Sequence, residues 1–257
     1  MNIFFSNSNK TNPLKASFNM LLLCVLLVAV FWFALARLGI SLNFSFLPSL
    51  HERLADGYIM TVCLSAVSLL LSLLLGVICA VSQASRILIL RYLSLLYVIV
   101  IRGTPLIVQI YLFYYIIGTA FGIQNRFLCG VLVLSIFEGA YIAEIIRGSL
   151  LSMDSTQLEA AKSVGFTKNQ IITLIMLPQL TARTLPALTG QFASLIKDSS
   201  LLSVVAMIEL TQTIREITSM NFKLFECYFF LGALYLSLTI PISFISKKLE
   251  QRFSYEN

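Results

Sequence analysis

Long apolar runs separated by short polar stretches set the plan of this chain. The runs cover about 17–36, 58–82, 93–118, 127–151, 185–208 and 225–246. Each has at least the ~20 residues that a helix needs to cross roughly 30 Å of hydrocarbon. The pattern predicts an all-α polytopic membrane protein with about six transmembrane helices. Residues 1–16 are polar and read as a disordered tail. Residues 17–57 read as a first span and a polar connection holding His51, Glu52, Arg53 and Asp56. The first run is long for a signal peptide and is read as a retained span. The main body is 58–246, and 247–257 is a charged tail with Lys247, Lys248, Glu250 and Arg252. Within the third run, Arg102-Gly103-Thr104-Pro105 interrupts the helix. Pro105 removes a backbone donor, which neighbouring protein or water must compensate.

The stretch 152–178 is the one long polar insert between apolar runs. Asp154 followed by Gln157, and Thr167 followed by Gln170, are helix-start signals in which the glutamine reaches back to the cap. Gly165 lies where the first short helix needs a left-handed residue after its end. Pro178 disfavours helical geometry at Leu177 and marks the end of the second. The expectation is a helix at about 155–164, a turn, and a helix at about 168–176, forming a knuckle on the membrane surface.

Composition supports the membrane reading. The chain is 58% hydrophobic and 12% charged, with a mean hydropathy of +0.89, beyond what a soluble domain uses. The net charge of +6 suits basic loops of a membrane protein better than a nucleic-acid partner. With both termini inside, Lys10, Lys15, Arg86, Arg91, Arg147, Lys162, Lys168, Arg183, Lys247, Lys248 and Arg252 fall on the cytoplasmic side. Only Arg37, Arg53, Arg126, Arg215 and Lys223 fall outside. That asymmetry puts the knuckle in the cytoplasm. Cys24, Cys63, Cys79, Cys129 and Cys227 lack CxxC spacing and read as free thiols.

Ionisable residues inside spans carry the remaining signal. Each costs about 2.5–3.5 kcal/mol at mid-helix on insertion scales. Glu144 and Arg147, three apart, are placed for a local ion pair near the inner interface. Glu138 has no such neighbour in sequence, and Tyr141 lies one turn along its face. A carboxylate presented to a translocation path and a tie to another span both fit Glu138. Lys197 and Asp198 point about 100° apart on a helix, so they bond neighbouring spans rather than each other.

Glu159-Ala160-Ala161, Gly165, Ile175, Leu177 and Pro178 resemble the EAA loop of bacterial ABC-importer permeases. The match narrows to the polar amino-acid branch at Arg102–Pro105, at Ala140-Tyr141-x-Ala143-Glu144-x-x-Arg147-Gly148, and at Lys197-Asp198-Ser199-Ser200-Leu201. It covers about 57–253. The resemblance implies a five-span core, with the first span extra to the shortest members. It implies a second permease subunit, self or sister, two ATPase subunits on the cytoplasmic face, and an external solute-binding protein. It departs at Glu138, where Asn or Ser is common, at Asp154 and Thr156, where Pro and Gly are usual, and at Thr189-Gly190.

The chain has no Gly-x-x-x-x-Gly-Lys-[Ser/Thr] loop, so ATP and magnesium belong to the partner ATPase and no cofactor is expected here. Glu159, Ala160, Ala161, Gly165, Leu177 and Pro178 are expected to couple to that ATPase. Glu138, Tyr141, Lys197 and Asp198 are candidates for the substrate path, where an acidic Glu138 favours a cationic amino acid. Arg102, Pro105, Glu144 and Arg147 are read as structural. The rival is a stand-alone carrier driven by an ion gradient, with Glu138 or Asp198 as its proton site. An intramembrane hydrolase is not supported: His51 is the sole histidine and Ala55 breaks any HExxH pattern, so no metal site is expected.

Overall fold

The structure, a computed structural model, describes residues 13–253. It is helical, with no strand among those residues. The chain divides into two units, one up to Leu47 and one from Pro48 onward. In the first, α1 (Pro13–Arg37) exposes Leu, Val, Phe and Trp side chains on all sides, as suits a helix solvated by hydrocarbon. It starts before the expected Ser17 because Pro13 is pre-set for the first helical position and needs no donor there. Of the expected polar tail, 13–16 are thus helical, and 1–12 lie outside the described residues.

A 3₁₀ turn at the boundary, Leu47–Leu50, runs into α2 (His51–Gln83), the first α-helix of the second unit. The polar connection expected to reach residue 57 is therefore shorter. His51 is the first residue of α2, with its Nδ1 2.9 Å from the Pro48 carbonyl. Then follow α3 (Leu88–Gly103), α4 (Leu106–Tyr111) with a π-helical extension Leu112–Gly118, and α5 (Arg126–Leu151). Short α6 (Ser155–Ser163) and α7 (Lys168–Gln170) lead through a π segment, Ile171–Met176, into α8 (Leu177–Asp198). A 3₁₀ stretch, Ser199–Val205, then α9 (Leu210–Asn221) and α10 (Leu224–Phe253) complete the chain.

Among the described residues five helices are long and apolar enough to cross a membrane, and α3 with α4 makes a sixth if that bent pair is one span. The pair is turned by 109° at its break, so the third run is two helices rather than one interrupted rod. Pro105 cannot extend α3, and Gln109 satisfies the carbonyls that the break frees. Its Nε2 donates to the Ile101 carbonyl at 2.8 Å and the Thr104 carbonyl at 3.2 Å.

The expected stop at Pro178 is also corrected. Helix continues from Lys168 to Val205 as one 38-residue stretch. Proline lacks the N–H for an α-helical bond, and its ring clashes with the carbonyl four residues back. The wider turns of 171–176 precede it, a local register change that admits the ring without ending the helix. The span expected at 185–208 therefore begins much earlier, and it gives way to a left-handed Ala206 (φ 52°).

A seam of small residues between α2 and α5 positions everything else. Thr61, Ser65, Ser68, Ser72, Gly76 and Ala80 recur at three- and four-residue spacing along α2, and all are buried. Lipid offers no hydrophobic drive for helix association, so close backbone approach supplies dispersion contacts instead. A Cβ on Gly76 would lie 2.4 Å from Ile142 Cγ2 and 3.2 Å from the Ala143 nitrogen. Across the seam, Ser135 donates to the Ser68 carbonyl at 3.2 Å. From α3, Tyr97 donates to the Ile136 carbonyl. This encloses α5 more completely than any other candidate span.

Gly76→Val should overpack this seam by about 1–3 kcal/mol. Thermal unfolding in detergent is expected to show a lower midpoint. Gly232→Ala, at a helical position with nothing within 4 Å of an added Cβ, should not lower the midpoint.

Candidate functional site

Two places concentrate polar chemistry: the elbow between α5 and α8, and the middle of those same two helices. The elbow is built by local caps. Asp154 accepts from the Thr156 amide at 2.8 Å and starts α6. The Thr156 hydroxyl and amide hold the Asp154 carboxyl below its ordinary range. At the far end of α6 the Phe166 amide donates to the Ala161 carbonyl and the Gly165 amide to the Lys162 carbonyl, each at 3.0 Å. These are the two bonds of a Schellman motif. It needs a left-handed residue, and Gly165 supplies one with φ +91°. Thr167 and Gln170 then form a full capping box.

One expected cap differs. Gln157 does not reach back to Asp154; its Oε1 accepts from Gln179 Nε2 of α8 at 2.9 Å. Arg183, one turn further along α8, donates to the Ser152 carbonyl and hydroxyl, each at 2.7 Å. Glu159 and Ala160 are exposed on α6, while Ala161 is buried. Leu177 and Pro178 are exposed at the start of α8. The elbow's outer surface also presents Val164, 79% exposed, with Ile172 and Leu174.

The mid-span site joins α5 to α8. Glu138 lies about halfway along α5 and is fully buried. One carboxyl oxygen accepts from Gln191 of α8, and the other has no hydrogen-bond partner. The Asp198 carboxyl neighbours Glu138 and feels the charge of Lys197. The structure thus brings Glu138 and Asp198 together but leaves Lys197 exposed. Two carboxylates side by side in a low dielectric repel, so the pair calls for a shared proton or a cation.

A second group forms nearer the elbow end of α5. Arg147 Nε donates to Glu144 Oε2 at 2.8 Å, and Arg102 Nη1 lies 3.7 Å from Glu144 Oε1. The Arg102 guanidinium also sits 5.2 Å from the centre of the Tyr141 ring, and Tyr141 packs on Phe137. Tyr141 therefore belongs with Arg102 and Glu144, not with Glu138. Pro105 opens α4 and is exposed.

Sequence reasoning passed over three residues of consequence. Gln191 and Gln109 gave no signal, since neutral amides in apolar runs resemble solvated surface. Glu209 did signal itself, as an acid between α8 and α10. It is fully buried, caps α9 through the amides of Thr211 and Gln212, each at 2.8 Å, and accepts from the Tyr235 hydroxyl at 3.1 Å.

Comparison with known proteins bears on this geometry directly. The family model for the binding-protein-dependent transport system inner membrane component matches residues 72–255. The probable glutamine ABC transporter permease protein GlnM of Bacillus subtilis (strain 168) is 35% identical over 216 residues, which are 82% of this chain and 100% of that one. The glutamine transport system permease protein GlnP of Escherichia coli (strain K12) is 34% identical over 201 residues, 77% of this chain and 92% of its own. The crystal structure of an amino acid ABC transporter with histidines superposes with a TM-score of 0.77 at 32% identity, covering 83% of this chain and 100% of that one. The inward-facing MetNI methionine ABC transporter shares the fold, with a TM-score of 0.64 at 17% identity over 83% of this chain. These likenesses overturn the stand-alone ion-driven carrier, which leaves the elbow without a task. The chain belongs to the family of binding-protein-dependent transport system inner membrane components, as a multi-pass ABC-importer permease subunit that is not itself an enzyme.

Proposed function

We propose that this chain carries a polar amino acid, by preference a cationic one, through the bacterial cytoplasmic membrane. Both termini and the elbow face the cytoplasm. The observation that carries the reading is the elbow itself: a short helix capped at both ends, standing on the ends of two spans, α5 and α8. An ATPase dimer grips it there, using ATP and magnesium that this chain does not bind. Glu159, Ala160, Ala161, Gly165, Leu177 and Pro178 form the coupling surface of 152–178. The small exposed side chain at 160 supports close approach, and exposed Val164 adds apolar area.

A second permease, self or sister, completes the path beside 58–246, and an external binding protein delivers the substrate. Nucleotide-driven closure of the ATPase moves the elbow and tilts α5 and α8. Supporting this, the carboxylates Glu138 and Asp198 sit on those two helices, and Gln191 of α8 donates to Glu138. A cationic side chain arriving beside them replaces the missing positive charge. Lys197, exposed in a spanning helix, faces the path or the second permease, because lipid is a poor surrounding for it. Arg102, Glu144 and Arg147, with Pro105, hold the α3–α4 break against α5.

Gly165→Pro cannot adopt φ +91°, because proline fixes φ near −65°. Glu159→Lys reverses a charge on the gripping surface. In the assembled importer either change should cut uptake about tenfold or more at normal membrane levels, measured as radiolabelled amino acid entering vesicles. Normal uptake would contradict the coupling role.

Glu138→Gln removes one carboxylate while keeping a partner for Gln191. Transport of arginine and lysine should weaken about tenfold or more relative to glutamine. Unchanged competition among the three in the same vesicles would remove Glu138 from the path.

A further inference from the structure

A displaced elbow moves the spans only if it cannot swing freely. Its first helix is joined to α5 by Ser152, Met153 and Asp154 alone, residues outside regular helix. Rotation about those backbone bonds would absorb a push on α6 and leave α5 and α8 where they were. Two side-chain bridges close off that freedom. Arg183 joins α8 to the last turn of α5, donating to the Ser152 carbonyl and hydroxyl at 2.7 Å. The Ser152 hydroxyl spends its proton on the Ser149 carbonyl at 2.9 Å, which leaves its lone pairs for the guanidinium. The site is also the negative end of the α5 dipole, where a cation is favoured. Gln179, four residues before Arg183 and so on the same face of α8, joins α6 to α8 through Gln157 at 2.9 Å.

We propose that Arg183 and Gln179 are positioning residues of transport: struts that make α5, α6 and α8 one frame, so that a push on the elbow arrives at Glu138 and Asp198. The frame is closed at its other end by the Gln191–Glu138 bond. Asp198 lies 15 residues beyond Arg183, about 22 Å along the helix at 1.5 Å per residue. A rigid rod of that length needs fixing at its driven end, which is where both struts sit. The proposal rests on the coupling reading above and names the parts that transmit it. Neither strut residue lies on the helix that the ATPase grips.

The test uses the complete importer, permease with ATPase and binding protein, in sealed proteoliposomes, reading amino acid carried per ATP hydrolysed. Arg183→Ala and Gln179→Ala should keep hydrolysis near the parent's. Amino acid carried per ATP should fall about tenfold for Arg183→Ala, a charge-assisted bond, and less for Gln179→Ala. Gln157→Glu together with Gln179→Lys rebuilds the second strut as an ion pair and should restore the ratio that Gln179→Lys alone loses. An unchanged ratio in both alanine variants overturns the proposal. So does a loss of uptake matched by an equal loss of hydrolysis, since that is the mark of structural damage. If Arg183→Ala does not assemble, the Gln157–Gln179 exchange decides by the same ratio. Full activity of Gly165→Pro and Glu159→Lys would instead place the fault in the coupling reading.

Discussion

A helix in hydrocarbon can break only where something nearby satisfies the carbonyls and amides that the break exposes. That constraint organises this molecule. At the turn between α3 and α4 the satisfying group is Gln109, bonded to the Ile101 and Thr104 carbonyls. At the end of α5 it is Arg183 on Ser152. After the 3₁₀ stretch that follows α8, Arg126 donates to the Ala206 carbonyl and Arg215 to the Ser203 carbonyl, each at 3.1 Å. Glu209 then caps α9. Each break is a place where one segment answers to another, so breaks and their partners mark the joints of the machine.

Between the joints the structure is stiff. The small-residue face of α2 lets α5 approach until a methyl group at residue 76 would not fit. Such a seam transmits displacement rather than absorbing it, because close-packed interiors compress little. The buried polar group Glu138, with Gln191 and Asp198, bridges α5 and α8, the two helices that hold the elbow between them. Under the proposed function, force and substrate chemistry fall on the same pair of helices.

Much of this was legible in the residues. The span pattern gave the all-α membrane class. The caps of the elbow followed from Asp154, Gly165 and the Thr167–Gln170 pair, because capping depends on a few local side chains. The Glu144–Arg147 pair was visible from its three-residue spacing. What escaped is non-local or conformational. Pro178 reads as a stop, yet a π-helical segment carries the helix through it. The 109° turn at Arg102–Pro105 depends on Gln109, whose role no spacing announces. Spacing suits Gln157 to its own helix cap, yet its side chain serves α8. Periodicity groups Tyr141 with Glu138, whereas Arg102 from another helix claims its ring. The serine seam was hidden inside an apolar run, where serine looks like mere dilution.

The central claim is that the elbow stands on the cytoplasmic side, within reach of an ATP-driven partner. A cysteine in place of exposed Val164, set against the parent chain, tests it with a membrane-impermeant maleimide on cells. The account predicts no added labelling of intact cells, strong labelling once the membrane is opened, and protection when the ATPase is bound. Labelling of that cysteine from outside intact cells would contradict it.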